Sequence, residues 1–318
     1  MKAKYKILLY NHKPDYVDRY ERLLREARKD LQLLVCKNRE QIEEVIDQAD
    51  IIFSAHTFPG ELVGKARKLK WIQSMSAGVE NYARSNLLPP NVALTKIKGV
   101  FGPLMSEYVV GYILAITQNM RETFDNQRKK RWEPFLVDSI RHKTVGVMGL
   151  GSVGAYIAYQ VHLMGAVVIA FEEKEKRLPY VSQEYSVAEI EEFLGRADFI
   201  VVALPLTDAN EGILGEREFR MMKESAYLIN VSRGPLVQEE ALLKALKQSS
   251  IAGAVLDVFH EEPLPKGHPF WDLNNVIITP HISGPSIPED ITKIFIDNLR
   301  RFEEGKKLEG MVDHEREY

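Results

Sequence analysis

One cysteine in 318 residues, Cys36, leaves no partner for an internal disulfide and points to a reducing compartment. Its place in the apolar stretch LQLLVC reads as a small buried hydrophobe rather than a nucleophile. No window approaches the ~18 apolar residues of a membrane span, so no membrane partner is expected. The start, MKAKYKILLYNHK, carries only a short apolar run, too little for a secretory signal, and the cytoplasm is the expected compartment. An excess of positive charge is missing as well. The 42 Lys and Arg face 45 Asp and Glu, a formal net charge of -3, which argues against a nucleic-acid partner. Repeats, low-complexity tracts, Pro/Gly-rich tethers and metal-ligand clusters are all wanting. The composition, 45% hydrophobic and 27% charged, is that of an ordinary globular protein, long enough for about two domains.

Short apolar runs and helical stretches alternate along the first hundred residues. YKILLYN, LQLLVCK, ADIIFSAH, KWIQSMS and NVALTKIK read as strands. YVDRYERLLREARK, NREQIEEVIDQ and GELVGKARKL carry apolar residues at helical spacing. Such alternation predicts a parallel sheet with helices on its faces. From Gly102 to about Arg131 the pattern predicts one long helix. Its centre, YVVGYILAI, is apolar nearly all round and predicts burial against another domain or subunit. A second series follows: KTVGVMG, AVVIAFE, DFIVVALP, AYLINVS, AGAVLDVF and NVIITPH, with a short extra strand around EYSV. Six strands with helical connections make a Rossmann-sized unit. The tail from Ser286 to Lys306 predicts an amphipathic helix with Ile291, Ile294, Phe295, Leu299 and Phe302 on one stripe and Gly305 at its end.

Gly149-x-Gly151-x-x-Gly154 stands between an apolar strand and an apolar helix, the context in which this triplet binds a dinucleotide. The pyrophosphate would meet the amides of Ser152 and Val153 at the helix N-terminus. A glycine-rich turn without ligand is the bland alternative. Glu172 ends the next strand, eighteen residues after Gly154, near the ~20 typical of the acid that takes the ribose hydroxyls. A carboxylate there favours NAD. Lys174, Lys176 and Arg177 follow, so NADP is the alternative dinucleotide, and a merely solvated turn is another reading of Glu172 and Glu173.

In doubly wound sheets the ligand crevice lies outside the carboxyl ends of the strands. Leu204-Pro205-Leu206-Thr207 ends one strand as an uncharged turn suited to an adenosine. Val231 and then Arg233 follow another, Asp257 with Glu261 and Glu262 the next, and His281 the last. An arginine, carboxylates and a histidine thus converge on one rim. His260, His162 and Glu261 are the rival candidates.

In order and spacing, GLGSVG, LPLT, INVSRGPLVQEEAL, GAVLDVFHEEPLP and TPHISG resemble the D-isomer-specific 2-hydroxyacid dehydrogenases over nearly the whole length. SMSAGVEN and PLMSEYVVGYIL also look like signatures of that family. The resemblance implies an α/β protein: a Rossmann dinucleotide-binding domain, 101–285, and a smaller flavodoxin-like α/β substrate domain, 1–100 with 286–318. It implies a cleft between them and a homodimer. It assigns catalysis to Arg233, Glu262 and His281, and the substrate carboxylate to Arg233 with Ala77, Gly78 and Val79. NAD would lie on Gly149, Gly151, Ser152, Val153, Gly154, Glu172, Leu204, Pro205 and Val231, with Asp257 on the nicotinamide carboxamide. Two departures stand out: Asn210 where the family often has threonine, and Glu172 where aspartate is commoner. The implied activity is hydride transfer between a nicotinamide and a small 2-oxo or 2-hydroxy acid such as glyoxylate or hydroxypyruvate. A formate dehydrogenase, which would pair its histidine with glutamine, and a dinucleotide-sensing corepressor scaffold are the competing expectations.

Overall fold

The computed structural model describes residues 5–312, apart from 56, 80–81, 83–87 and 90. The last two residues of SMSAGVEN and residues 313–318 of the tail lie outside them. The chain divides into two compact units, Met1–Val100 with Ser286–Tyr318, and Phe101–Pro285.

In the first unit, β1 (Lys6–Tyr10), β2 (Gln32–Cys36), β3 (Ile51–Ser54), β4 (Trp71–Ser74) and β5 (Ala93–Thr95) form one sheet in the order β2-β1-β3-β4-β5. Every pair is parallel. This is the 2-1-3-4-5 order of flavodoxin-like folds. All four residues of β3 and of β4 are buried, as expected of strands covered on both faces. Helix α1 (Pro14–Ala27) opens with proline at its first position and buries Val17, Tyr20 and Leu24 on one stripe. Helix α2 (Arg39–Val45) is capped by the Asn38 side chain, which accepts from the Gln41 amide. The stretch GELVGKARKL does not form the predicted α-helix. Gly60–Lys65 winds as a 3-10 turn that buries Leu62 and Val63, since Gly60 and Gly64 weaken an α-helix so short. Cys36 is buried, and burial pushes its thiol up to about 11.

The C-terminal helix, Pro288–Glu303, belongs to this first unit and ends before Gly305 at φ +67°. Phe295 stacks on Phe53 with ring centroids 4.2 Å apart and on Trp71 at 5.4 Å. Full burial of one such ring contributes about 2 kcal/mol. Asn298, also buried, donates to Gln73 Oε1 at 2.9 Å and to the Glu309 carbonyl at 3.0 Å. Ile294 and Phe302 of the predicted stripe are only partly covered, while Ile296 is buried.

In the second unit, β6 (Thr144–Met148), β7 (Val167–Phe171), β8 (Gln183–Tyr185), β9 (Phe199–Val202), β10 (Tyr227–Asn230), β11 (Gly253–Leu256) and β12 (Val276–Ile278) form a parallel sheet. Its order is β12-β11-β10-β9-β6-β7-β8, the Rossmann 3-2-1-4-5-6 order with one strand added. The turns after β6 and β9 therefore flank the switch point. The predicted long helix is two helices, α3 (Phe101–Thr117) and α4 (Met120–Arg128). Asn119 between them takes φ +47°, a left-handed conformation that asparagine tolerates and that ends an α-helix. Helix α5 (Ser152–Leu163) runs beside α3, where Gly102 leaves room: a Cβ there would lie 2.9 Å from Tyr156 Cβ. Helices α6 (Ile190–Arg196), α7 (Glu216–Met221) and α8 (Glu239–Lys247) follow, and the C-terminal helix is α9. Among the described residues no helix is long and apolar enough to cross a membrane.

Candidate active site

The turn after β6 is shaped by its three glycines. Gly149 takes φ +92°, and a Cβ there would press on the Ala203 carbonyl oxygen at 3.0 Å. A Cβ on Gly154 would lie 1.8 Å from the Gly149 carbonyl oxygen, so α5 approaches the strand only because that side chain is missing. Gly151 is different, because a Cβ there would meet open space. No side chain caps α5, and its first turn holds no acid. Open space over a glycine, at an uncapped helix N-terminus, fits a pyrophosphate. Glu172 lies within reach of this turn, but one of its oxygens accepts from the Leu150 amide at 2.6 Å. The structure therefore makes Glu172 a brace of the glycine loop as well as the acid at the end of β7.

Leu204 and Pro205 follow β9, with Pro205 exposed. Asn210 closes their turn, donating to the Pro205 carbonyl at 2.7 Å and accepting from the Thr207 amide at 2.8 Å. The asparagine that departs from the family pattern is a turn lock. Val231 is buried at the end of β10.

Arg233 follows in a turn held by buried Asn230, whose amide donates to the Arg233 carbonyl at 3.0 Å. The next residue, Gly234, touches the loop after β11, bringing Arg233 beside the residues from Phe259 to Glu262. In that loop Glu262 Oε1 accepts from the Phe259 amide at 2.9 Å, and Oε2 lies 2.7 Å from His281 Nδ1. Partial burial alone would raise the Glu262 pKa. The bonds from His281 and the Phe259 amide, with the charges of His281 and Arg233, outweigh it and hold the carboxyl below its usual range. Arg233, Glu262 and His281 thus come together at the carboxyl ends of β10, β11 and β12.

The rivals have other tasks. His260 Nε2 bonds the Val237 carbonyl at 2.9 Å, and Glu261 is exposed. His162 sits on α5 near the Tyr180 ring. A second histidine-carboxylate pair escaped the sequence: His268 Nε2 lies 2.8 Å from Glu239 Oε1. Its Nδ1 accepts from the Phe270 amide, so both ring nitrogens are committed within the protein. Only the partnership of His268 across 29 residues distinguishes it, and no local motif signals that.

Asp257, the residue expected on the nicotinamide carboxamide, directly follows β11. It is wholly buried, and its carboxylate takes the Thr279 hydroxyl and the amides of Ile282 and Ser283. A buried carboxylate needs such donors, and the loop beyond β12 supplies them. Ala77, Gly78 and Val79 stand in the first unit, after β4. There Val79 is buried, Ala77 is exposed, and the Gly78 carbonyl accepts from the Ser74 hydroxyl at 3.4 Å. Among the described residues no group of three or more His, Cys, Asp or Glu stands as a metal site.

Comparison with known proteins agrees with this architecture. The family profile described as D-isomer specific 2-hydroxyacid dehydrogenase, NAD binding domain, matches residues 110–283. A glyoxylate reductase of Thermofilum pendens is 30% identical over 289 residues, covering 87% of this chain and 85% of the relative. The crystal structure of a D-isomer specific 2-hydroxyacid dehydrogenase family protein from Aeromonas salmonicida superposes with a TM-score of 0.91 at 34% identity, covering 98% of this chain and 100% of that one. An NADPH-dependent glyoxylate/hydroxypyruvate reductase from Sinorhizobium meliloti, solved with NADP and sulfate, gives 0.89 at 28% identity, covering 99% and 100%.

Proposed function

Because the chain belongs to the D-isomer specific 2-hydroxyacid dehydrogenases, a family of oxidoreductases, we propose that it reduces small 2-oxo acids with uncharged side chains to the corresponding 2-hydroxy acids, of the D form where the product is chiral. Glyoxylate and hydroxypyruvate head the substrate group, in keeping with the reductases it is similar to. The observation that carries the reading is the 2.7 Å bond between His281 Nδ1 and Glu262 Oε2 on a rim that also holds Arg233.

The bound nicotinamide supplies or accepts the hydride. Arg233 grips the substrate carboxylate and carbonyl oxygens with its planar fork, a geometry that lysine cannot reproduce. His281 gives a proton to the carbonyl oxygen, with Nε2 as the atom assigned to that transfer. Glu262 fixes the ring tautomer and orientation through its bond to Nδ1. The backbone amides of Ala77, Gly78 and Val79 join this reading as further carboxylate donors. Gly149, Gly151, Gly154 and the amides of Ser152 and Val153 would hold the pyrophosphate, and Leu204, Pro205 and Val231 would line the dinucleotide.

NAD is the proposed dinucleotide. The negative charges of Glu172 and Glu173 at the end of β7 support it, since they would repel a ribose phosphate. A homodimer is proposed as well. Trp132 and Leu136, in the segment after α4, are 97% and 96% exposed, and a second copy is the partner that would cover them.

A spectrophotometric panel of glyoxylate, hydroxypyruvate and pyruvate against NADH and NADPH tests the reading. Turnover of at least one acid with NADH as the better reductant is the expected result. No turnover of any of them would refute it.

A further inference from the structure

The loop that carries His281 is wrapped around one buried carboxylate. Asp257 accepts from Thr279 Oγ1 at 2.5 Å and from the amides of Ile282 and Ser283 at 2.8 Å each. The His281 amide donates to the Asp257 carbonyl at 2.9 Å. This wrapping has a purpose, because His281 takes φ +53°. That left-handed region is uncommon for residues other than glycine, and the bonds around Asp257 hold the loop that keeps His281 in it.

The chain of hydrogen bonds extends past Asp257 to a helix. Thr279 has one hydroxyl proton and gives it to Asp257, so in its 2.6 Å contact with Tyr108 the phenol is the donor. Tyr108 is half-buried on α3, its ring 4.5 Å from that of Tyr112. Burial pushes its phenol far above the usual range and keeps the proton in place. Each hydroxyl in such a series polarises the next, so the phenol strengthens the Thr279–Asp257 bond. The same helix meets the far end of the loop, where a Cβ on Gly284 would lie 3.2 Å from Met105.

We propose that Tyr108 is a positioning residue for His281, acting through Thr279 and Asp257. Its kinetic consequence rests on the dehydrogenase reading above; its structural consequence does not.

Tyr108→Phe keeps the ring and removes the donor, and Thr279→Val cuts the same series at its middle. Each should lower kcat about five- to twentyfold, with KM for the oxo acid and Kd for NADH within about twofold of the parent. The double variant should be no slower than Thr279→Val alone, because one series broken twice is still one series. Thr279→Ser keeps the hydroxyl and should restore the parent rate. Amide exchange followed by NMR reads the same series without turnover. The Ile282 and Ser283 amides should exchange about tenfold faster in both single variants. Unchanged exchange at these two amides in folded Tyr108→Phe overturns the proposal, as does a multiplicative kcat loss in the double variant. A parent protein that reduces no 2-oxo acid refutes the dehydrogenase reading instead, and the exchange measurement still decides the role of Tyr108.

Discussion

A Cβ placed on Gly234 would lie 2.1 Å from the carbonyl carbon of Phe259. Backbone meets backbone there, so neither side can yield by turning a side chain. The turn bearing Arg233 and the loop bearing Glu262 keep their spacing through this one missing methyl group. Gly234→Ala should destabilise the second unit by about 1–3 kcal/mol, the range for overpacking. It should also lower kcat/KM by more than about tenfold. Urea unfolding and steady-state kinetics on the same preparation check both.

His281→Ala should reduce turnover about 10²- to 10⁴-fold, the usual share of a general acid. NADH binding, read by fluorescence, should stay within about threefold, because the ring is assigned to the substrate. Near-parent turnover would remove His281 from the mechanism.

The depressed pKa of Glu262 has a definite sign. Its pairing adds stability that is present above the unfolded carboxylate value of about 4.3 and is lost as pH falls through the lower folded value. Glu262 therefore stays ionised throughout the neutral range. Reduction uses up the histidine proton and should slow as pH rises, while oxidation of the alcohol should quicken. In Glu262→Gln the reduction rate should fall about tenfold or more across the neutral range, because a neutral amide replaces the carboxylate that holds Nδ1 of the ring. A Glu262→Gln enzyme as fast as the parent would contradict this.

Glu172→Gln retains an acceptor for the Leu150 amide and removes the charge. The ratio of kcat/KM for NADPH over NADH should rise about tenfold, equivalent to about 1.4 kcal/mol of relieved repulsion. An unchanged ratio would take Glu172 out of cofactor choice.

Replacing Trp132 and Leu136 together by glutamate should give a monomer by light scattering, with unfolding unchanged within about 0.5 kcal/mol in a dilute sample. A dimer that survives both charges would place its interface elsewhere.

Much of the fold was legible because parallel strands buried on both faces are written as continuous apolar runs: FIVV and GAVL are covered along their whole length. The glycine triplet was legible for a local reason, since a close backbone approach demands glycine whatever lies further away. Other features depend on distant partners. Tyr108 and Thr279 are 171 positions apart, so nothing near Tyr108 announces its bond. The family resemblance named Asp257 as a nicotinamide contact, and only the turn of the chain after Thr279 shows which backbone amides its oxygens also hold. The break at Asn119 interrupts a pattern whose apolar spacing continues across it, so periodicity alone predicted one helix.

The first sheet and the helix that stacks Phe295 onto Phe53 are separated in the chain by the entire second unit. A ribosome therefore releases residues 1–100 long before their covering helix is made, and during that interval Phe53, Trp71 and Gln73 lack the groups that shield them. The inserted unit has all its strands in one continuous stretch and is free to form first. Synthesis order and domain order are thus opposed: the half that emerges earliest is the half that is finished last.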